Sequence, residues 1–128
     1  PLHVTCDPEQ LHQVFVNLLL NGMDAMPDGG KLTIEIRRFG SPAAQNCEVS
    51  IVDQGSGIPA QLLDHVFEPF VSTKSRGTGL GLAISRRLVE EHGGRLSASN
   101  RADSGAEFTV RLPCLAEVDA EVEERSSA

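Results

Sequence analysis

The sequence predicts an α+β protein: a two-layer sandwich in which one sheet carries helices on one of its faces. Three observations lead to this class. Strand-like and helix-like segments are mixed along the chain, two neighbouring strand-like segments form a hairpin, and the helix-like segments have apolar sides that one sheet face can cover. With 128 residues, 40% of them apolar, the chain has enough material for one compact core and too little for two ordinary domains.

The first predicted elements are a short strand over residues 3–6 (HVTC) and a long helix. Asp7 suits the N-cap of that helix and Pro8 its first turn, since both residue types are favoured there. The helix continues to about Met26, because the segment PDGG (residues 27–30) stops it.

A hairpin follows. Residues 31–39 and 47–53 alternate apolar and polar side chains, so they predict two strands joined by the loop GSPAAQN. Residues 59–67 predict a short helix, and residues 68–79 have no periodicity.

The last elements are a helix over about residues 80–92 and two strands, RLSASN (95–100) and AEFTVRL (106–112). The segment 115–128 is acidic and rich in small residues, which predicts a disordered tail. We therefore expect one domain over residues 1–114.

Composition excludes several classes of partner. A net charge of -7 disfavours nucleic acid, whose phosphates are held by basic surfaces. No apolar run reaches the roughly 18 residues of a membrane span, and the first ten residues lack the features of a signal peptide, so no membrane contact is expected. Cys6, Cys47 and Cys114 have no metal-binding spacing, which predicts buried free thiols in a reducing cytoplasm.

The first helix is apolar nearly all round except for one stripe, formed by Gln13, Asn17, Asn21 and Asp24. The stripe can simply face solvent. Solvent faces usually carry Lys and Glu, however, because Asn is a poor helix former. The amide oxygen of Asn suits a hard cation such as Mg²⁺, which keeps its other positions for phosphates and water. The stripe is therefore a candidate metal and phosphate site.

A second candidate site is DQGSGIP, which begins at Asp53 where the second hairpin strand ends. A carboxylate there can accept a hydrogen bond, while Gly55 and Gly57 let the backbone come close to a flat ligand. One alternative is an ordinary strand-to-helix turn. Another is a dinucleotide fingerprint ending at Ala60, but the following segment STKSRGTG supplies neither the strand nor the acidic residue that this fingerprint needs.

The third candidate is GTGLGL (residues 77–82), which leads directly into a helix. Glycines before a helix N-terminus let phosphate oxygens reach free backbone amides, and the helix dipole favours the anion. Lys74 and Arg76 precede it in a loop that can close over a nucleotide or can be an ordinary surface loop. No G-x-x-x-x-G-K-[ST] string is present.

Together these segments resemble a known family. NLLLNGMDAM, DQGSGI, FEPF and GTGLGL look like the N box, first glycine box, F box and second glycine box of the sensor histidine kinases of two-component systems. The compact segment between residues 66 and 82 is most similar to the nitrogen-regulation type. The resemblance implies the Bergerat fold, which DNA gyrase, mismatch-repair ATPases and heat-shock chaperone ATPases share. That fold is a mixed, mostly antiparallel sheet with helices on one face and ATP between them.

The resemblance also implies roles for individual residues. Asn21 would hold Mg²⁺, Asn17 would lie beside the phosphates, Asp53 would accept the hydrogen bond of the adenine amine, and Phe67 and Phe70 would anchor a lid. Asn17, Lys74 and Arg76 would serve the transfer step. The implied nucleotide-binding residues are Asn17, Asn21, Asp53, Gly55, Gly57, Ile58, Lys74, Thr78, Gly79, Leu80, Gly81 and Leu82.

Two departures qualify the match, and one further difference separates this chain from other ATPases of the fold. The family often has Gly-Thr-x-Phe in its final hairpin, whereas this chain has Ala106 in place of the Thr, so water is expected to help hold adenine. Related ATPases of this fold carry a general-base Glu where this chain has Asn17. None of the four histidines sits in the acceptor pattern H-E/D-x-x-x-P, so the acceptor is expected on a separate dimerisation domain.

The expected function is therefore a histidine kinase catalytic domain that uses ATP and Mg²⁺ in the cytoplasm and reaches a response regulator indirectly. Two alternatives share these boxes: a protein-serine kinase of the anti-sigma-factor type and an ATP-driven conformational switch of the gyrase class.

Overall fold

The structure, a computed structural model, describes residues 3–71 and 80–114. Three helices lie within them: α1 (Pro8–Asp24), α2 (Ala60–Leu63) and α3 (Gly81–Glu91). Helices α1 and α3 contact each other and pack against the sheet, whereas α2 is a single turn. None of these helices is long and apolar enough to cross a membrane.

The sheet consists of two hairpins placed side by side. The first hairpin contains β1 (Thr33–Ser41) and β2 (Ala44–Val52), and the second contains β3 (Arg95–Asn100) and β4 (Ala106–Pro113). The strand order is β1-β2-β4-β3, so the central pair is β2 and β4. All strand pairs among the described residues are antiparallel, and no parallel strand of the expected mixed sheet is found among them.

The core lies between one sheet face and the helices α1 and α3. Strand β4 shows how the two faces divide, because its alternate residues Ala106, Phe108, Val110 and Leu112 are buried while the intervening residues are not. Burying these side chains removes apolar surface from water and so drives the two layers together. The core also contains Leu11, Val14, Leu18, Cys47, Ile51, Val66, Leu88, Val89 and Leu96. The predicted α+β sandwich is confirmed.

The start of α1 was predicted correctly. The Asp7 side chain accepts hydrogen bonds from the backbone N–H groups of Glu9 (3.0 Å) and Gln10 (3.2 Å), and Pro8 occupies the first turn. The backbone N–H of Asp7 donates to Nε2 of His92 (3.0 Å), directly after α3. This contact ties the beginning of α1 to the end of α3.

The strand predicted for residues 3–6 is wrong, because residues 3–7 have no regular secondary structure. Val4 and Cys6 are half-buried and pack against the core. Alternate apolar side chains can be buried by an irregular segment as well as by a strand, and the sequence pattern does not separate the two cases.

The hairpin loop was predicted too long. Strands β1 and β2 continue through most of the segment GSPAAQN, and Ser41 pairs with Ala44 across a two-residue turn. Pro42 occupies that turn, where its missing N–H costs no ladder hydrogen bond. Gly40, with φ +109°, is compatible with the strand end because it has no side chain.

The helix predicted over residues 59–67 is also too long, since α2 ends at Leu63. Beyond it the backbone makes tighter turns, with His65 N–H donating to the Leu62 carbonyl (2.9 Å) and Glu68 N–H to the His65 carbonyl (2.9 Å). These turns bury Val66. The predictions for α3 and for the last two strands agree with the structure to within one residue at each end.

The three cysteines are free, as predicted, but only Cys47 is buried, whereas Cys6 and Cys114 are half-buried. Burial raises the pKa of the Cys47 thiol above its ordinary value. The predicted tail, residues 115–128, lies outside the described residues.

Candidate functional site

Asp53 follows the last residue of β2 and is 3% exposed. Its Oδ1 accepts hydrogen bonds from the backbone N–H groups of Gly55 (2.8 Å) and Ala106 (3.2 Å). The backbone N–H of Asp53 donates to the carbonyl of Ala106 (3.0 Å). Both side-chain contacts use the same oxygen, and Oδ2 makes no hydrogen bond to a described residue. Oδ2 is therefore the oxygen that can accept a hydrogen bond from a ligand.

Two glycines bring α1 close to this carboxylate. A Cβ at Gly22 would lie 2.6 Å from Cδ2 of Leu32 and 3.7 Å from Cβ of Asp53, so a larger residue would have to displace the Leu32 side chain. A Cβ at Gly55 would lie 2.4 Å from the carbonyl oxygen of Ala25, just after α1. The sequence predicted that Gly55 lets the backbone come close to a flat ligand, and that role stays a prediction. The structure shows that the neighbour there is the end of the first helix.

The segment Gly55–Ile58 forms a turn beside Asp53. Gly57 has φ +85°, a left-handed conformation that favours glycine. Ile58 is half-buried and packs against the core. One short loop after β2 thus contains the predicted residues Asp53, Gly55, Gly57 and Ile58.

Two residues whose side chains hydrogen-bond to the backbone of this loop were not found from the sequence. The Asn100 side chain accepts from the N–H of Ile58 (2.7 Å) and donates to the carbonyl of Ile58 (2.8 Å). Ser104 Oγ donates to the carbonyl of Gly55 (2.7 Å). These partners are 42 and 49 positions apart in the chain, so no local spacing could indicate the contacts.

Asn17 links the two long helices. Its Nδ2 donates to the carbonyl of Gly81 (3.3 Å) and lies 3.1 Å from Oγ of Ser85, which is fully buried. Part of the polar stripe predicted on α1 therefore faces α3 rather than open solvent. Asn17 lies next to the helix start predicted to meet phosphate, and its amide nitrogen is committed to holding that start in place.

Asn21 lies one turn further along α1 and is half-buried. The described residues contain no group of three or more His, Cys, Asp or Glu side chains able to hold a metal ion. A cation here would need oxygens from a ligand in addition to the amide oxygen of Asn21. That donor set fits Mg²⁺, which is commonly held by one or two protein oxygens and by phosphates.

The helix α3 begins at Gly81, and its N-cap residue, Leu80, makes no side-chain capping hydrogen bond. Leu80, Gly81 and Leu82 therefore lie at a helix N-terminus, where backbone amides favour anions. The other predicted residues of this region, Lys74, Arg76, Thr78 and Gly79, lie outside the described residues. Their roles stay predictions.

The two phenylalanines expected to anchor a lid differ in their environment. Phe67 packs edge-on against Phe108 in the core, with ring centroids 6.1 Å apart and ring planes at 84°. The guanidinium of Arg86 lies 5.7 Å from the centre of the Phe67 ring. Phe70 is 76% exposed and has φ +68°. Most of the predicted lid, residues 72–79, lies outside the described residues, so the anchoring roles of Phe67 and Phe70 stay predictions.

Two carboxylates with a lowered pKa lie on the outer face of the sheet. Hydrogen bonds from Arg111 and Arg37 hold the pKa of Glu48 below its ordinary value, with Nη2–Oε distances of 2.7 and 2.6 Å. A hydrogen bond from Arg101 likewise lowers the pKa of Glu107. These ion pairs stabilise the sheet face that points away from α1 and α3.

Comparison with known proteins places this arrangement in a family. Residues 6–116 match the family described as histidine kinase-, DNA gyrase B-, and HSP90-like ATPase. Sporulation kinase D of Bacillus subtilis is 41% identical over 113 residues, which are 88% of this chain and 22% of the kinase. Sensor histidine kinase ZraS of Klebsiella oxytoca is 41% identical over 110 residues, which are 86% of this chain and 23% of that protein. The chain thus spans less than a quarter of these curated relatives.

Solved structures agree with the sequence relatives. The mycobacterial sensor histidine kinase MprB superimposes with a TM-score of 0.80 at 33% identity, covering 89% of this chain and 78% of that one. The catalytic domain of histidine kinase ThkA gives a TM-score of 0.75 at 35% identity, covering 86% of this chain and 70% of that one. The four-stranded sheet with helices on one face is therefore the Bergerat fold of these catalytic domains. The chain belongs to the histidine kinase-, DNA gyrase B- and HSP90-like ATPase family, and its sequence relatives and structural neighbours include sensor histidine kinases.

Proposed function

We propose that this chain binds ATP with Mg²⁺ and transfers the γ-phosphate to a histidine on a separate dimerisation domain. The observation that carries the proposal is the geometry at Asp53. One carboxylate oxygen is held by two backbone N–H groups, and the other has no partner among the described residues. The side chain is only 3% exposed, and a carboxylate oxygen can only accept, so the amine of adenine is a donor that suits this position.

The phosphates would lie near the start of α3. Its N-cap residue, Leu80, makes no side-chain capping hydrogen bond, and Asn17 fixes the first turn against α1 through Gly81 and Ser85. The amide oxygen of Asn21 would hold Mg²⁺, which when bound balances phosphate charge. Lys74 and Arg76 would add positive charge near the transferred group, as the family resemblance implies. Thr78 and Gly79 would complete the phosphate contacts.

One histidine of the chain already has a structural role. Nε2 of His92 accepts from the N–H of Asp7 (3.0 Å), and Nδ1 lies 2.7 Å from the carbonyl oxygen of Leu88, to which it donates. Both ring nitrogens are engaged, so His92 is a poor phosphate acceptor. His92 is therefore not the proposed acceptor. As the family resemblance implies, the proposed direct partner is a helical dimerisation domain that carries the acceptor, and the proposed indirect partner is a response regulator.

The proposed domain covers residues 1–114, with residues 115–128 as a separate acidic tail. We place its activity in the cytoplasm, where ATP is available. Nucleic acid is not a proposed partner, because the chain carries a net charge of -7.

The test combines this chain with a dimerisation domain from a related sensor kinase, labelled ATP and Mg²⁺. Acid-labile label on the added domain supports the proposal, and its loss when that domain's histidine is replaced is the control. The chain alone should release phosphate slowly, because Asn17 cannot act as a general base and such catalysis typically contributes about 100- to 10,000-fold.

The same experiment separates the alternatives. Acid-stable label on a serine-containing substrate would favour a protein-serine kinase of the anti-sigma-factor type. Rapid phosphate release by the chain alone would favour an ATP-driven switch. Absence of ATP binding would refute all three.

A further inference from the structure

The turn between β3 and β4 contacts both parts of the candidate base site. Its first contact is with Asp53: the backbone of Ala106 donates to the Asp53 carboxylate and accepts from the Asp53 N–H. A Cβ at Gly105 would lie 2.1 Å from the Asp53 carbonyl oxygen, so the two backbones touch. This end of the turn sets the position of the carboxylate.

The other end of the same turn holds the loop opposite the carboxylate. One side chain, Asn100, engages both backbone polar groups of Ile58, at 2.7 and 2.8 Å. Because one amide binds both the N–H and the C=O, it fixes the peptide planes on either side of Ile58. A Cβ at Gly57 would lie 2.9 Å from Oδ1 of Asn100, so the loop lies directly against the amide. Ser104 adds a third contact, to the Gly55 carbonyl at 2.7 Å.

We propose that Asn100 is a positioning residue that sets base discrimination by holding the Gly57–Ile58 backbone in register with the Asp53 carboxylate. The inference rests on the proposed function, because it requires a purine base to lie between these two groups. Asn100 acts through Ile58 and touches neither the phosphates nor the metal in this assignment. Loss of its contacts should therefore weaken recognition of the base more than recognition of the phosphates.

The size of the effect follows from exposure. Asn100 is exposed, so each hydrogen bond competes with water and contributes modestly. Loss of both should weaken adenine nucleotide binding about 3- to 10-fold. Asn100→Asp should weaken it at least as much as Asn100→Ala, because it places a carboxylate oxygen against the Ile58 carbonyl.

The experiment measures ADP and GDP affinities in Mg²⁺, with thermal unfolding, for the chain and its Asn100→Ala, Asn100→Asp and Ser104→Ala variants. Asn46→Ala is the matched control, because it removes the same type of side chain near the start of β2, at the end of that strand away from Asp53. We expect the preference for ADP over GDP, measured as the ratio of the two affinities, to decrease in the Asn100 variants. It should decrease less in Ser104→Ala and stay unchanged in the control. Ser104→Ala keeps the test valid if an Asn100 variant does not fold.

Two outcomes would overturn the inference and leave the proposed function standing. In the first, the Asn100 variants bind ADP as tightly as the unsubstituted chain. In the second, they lose equal affinity for ADP and GDP, which would show that Asn100 has a general structural role. If only Ser104→Ala folds, an unchanged ADP-to-GDP ratio in it counts against the inference. Failure of the unsubstituted chain to bind ADP would instead refute the proposed function, and the inference with it.

Discussion

The Asp53→Asn substitution tests the base site with the smallest change in shape. It replaces one carboxylate oxygen by an amide NH₂ group. The orientation of the new amide is set by the structure, because the N–H groups of Gly55 and Ala106 both need an oxygen at the Oδ1 position. The NH₂ group must therefore occupy the Oδ2 position, the one assigned to the ligand.

The expected magnitude follows from this orientation. In the unsubstituted chain, a carboxylate facing adenine's amine is a charge-assisted hydrogen bond, worth about 1.5–3 kcal/mol. In the variant two donors face each other, so that contact is lost and ATP affinity should fall about 10- to 150-fold. The carbonyl of guanine can accept from the new NH₂ group. The unsubstituted chain should thus prefer ATP over GTP, and the variant should lose or reverse that preference.

Calorimetric titration of ATP and GTP into the chain and its variant would measure both affinities. Asp64→Asn is the matched control, because it removes the same charge from an exposed residue at the end of α2. Unchanged ATP binding in a folded Asp53→Asn variant would refute the adenine assignment. An equal loss of ATP and GTP binding would show that Asp53 only holds the loop.

Three further predictions concern stability. Gly55→Ala should lower the free energy of chemical unfolding by about 1–3 kcal/mol, because its Cβ would lie 2.4 Å from a backbone oxygen. Gly81→Ala is the control, since its Cβ would lie 3.9 Å from the nearest atom and should cause no such loss. An equal loss of stability in the two variants would contradict the close packing of Gly55 against the end of α1. His92→Ala removes the hydrogen bond from the Asp7 N–H, which joins the start of α1 to the end of α3, and a second one to the Leu88 carbonyl within the last turn of α3. The loss should lower the free energy of unfolding by about 1–3 kcal/mol. Replacement of the exposed His12 is the control, and an equally small effect of both substitutions would refute the role of His92 in joining the two helices. The pKa of Glu48 is held below its ordinary 4.5 by two arginines, so its contribution to stability is complete above that pH and lost as pH falls below it. In Glu48→Gln the melting temperature should fall less steeply with decreasing pH than in the unsubstituted chain. An equally steep fall in both chains would contradict this role of Glu48.

The fold was largely predictable because its helix ends and strand patterns are local. Asp7 and Pro8 mark the start of α1, and the strict alternation of 106–112 marks β4. The wrong predictions of secondary structure arose where the burial of particular side chains, rather than a local sequence pattern, determines the backbone conformation. Val4 and Cys6 pack against the core, half-buried, without forming a strand, and the chain after Leu63 turns tightly to bury Val66.

The candidate site was predictable only in part, for a related reason. Carboxylates, amides and glycines in short motifs indicate ligand chemistry, so Asp53, Asn17 and Gly55 were found from the sequence. Asn100 was not, because it acts through a backbone 42 positions away. Its residue type is common at strand ends and indicates nothing without the tertiary contact.

The contacts of Asn17 also explain why an amide, rather than a carboxylate, is compatible with this packing. Its Nδ2 donates to the carbonyl of Gly81 at 3.3 Å and lies 3.1 Å from the buried Ser85 hydroxyl. A glutamate at this position would offer only acceptors, and one carboxylate oxygen near the Gly81 carbonyl would be repelled. Either the carboxylate would then have to turn away from the Gly81 carbonyl or the start of α3 would have to move. In both cases the contact between Asn17 and the start of α3 would be lost. An amide here therefore keeps the amides assigned to phosphate in place, and it offers water no general base, as the proposed transfer to a protein acceptor requires.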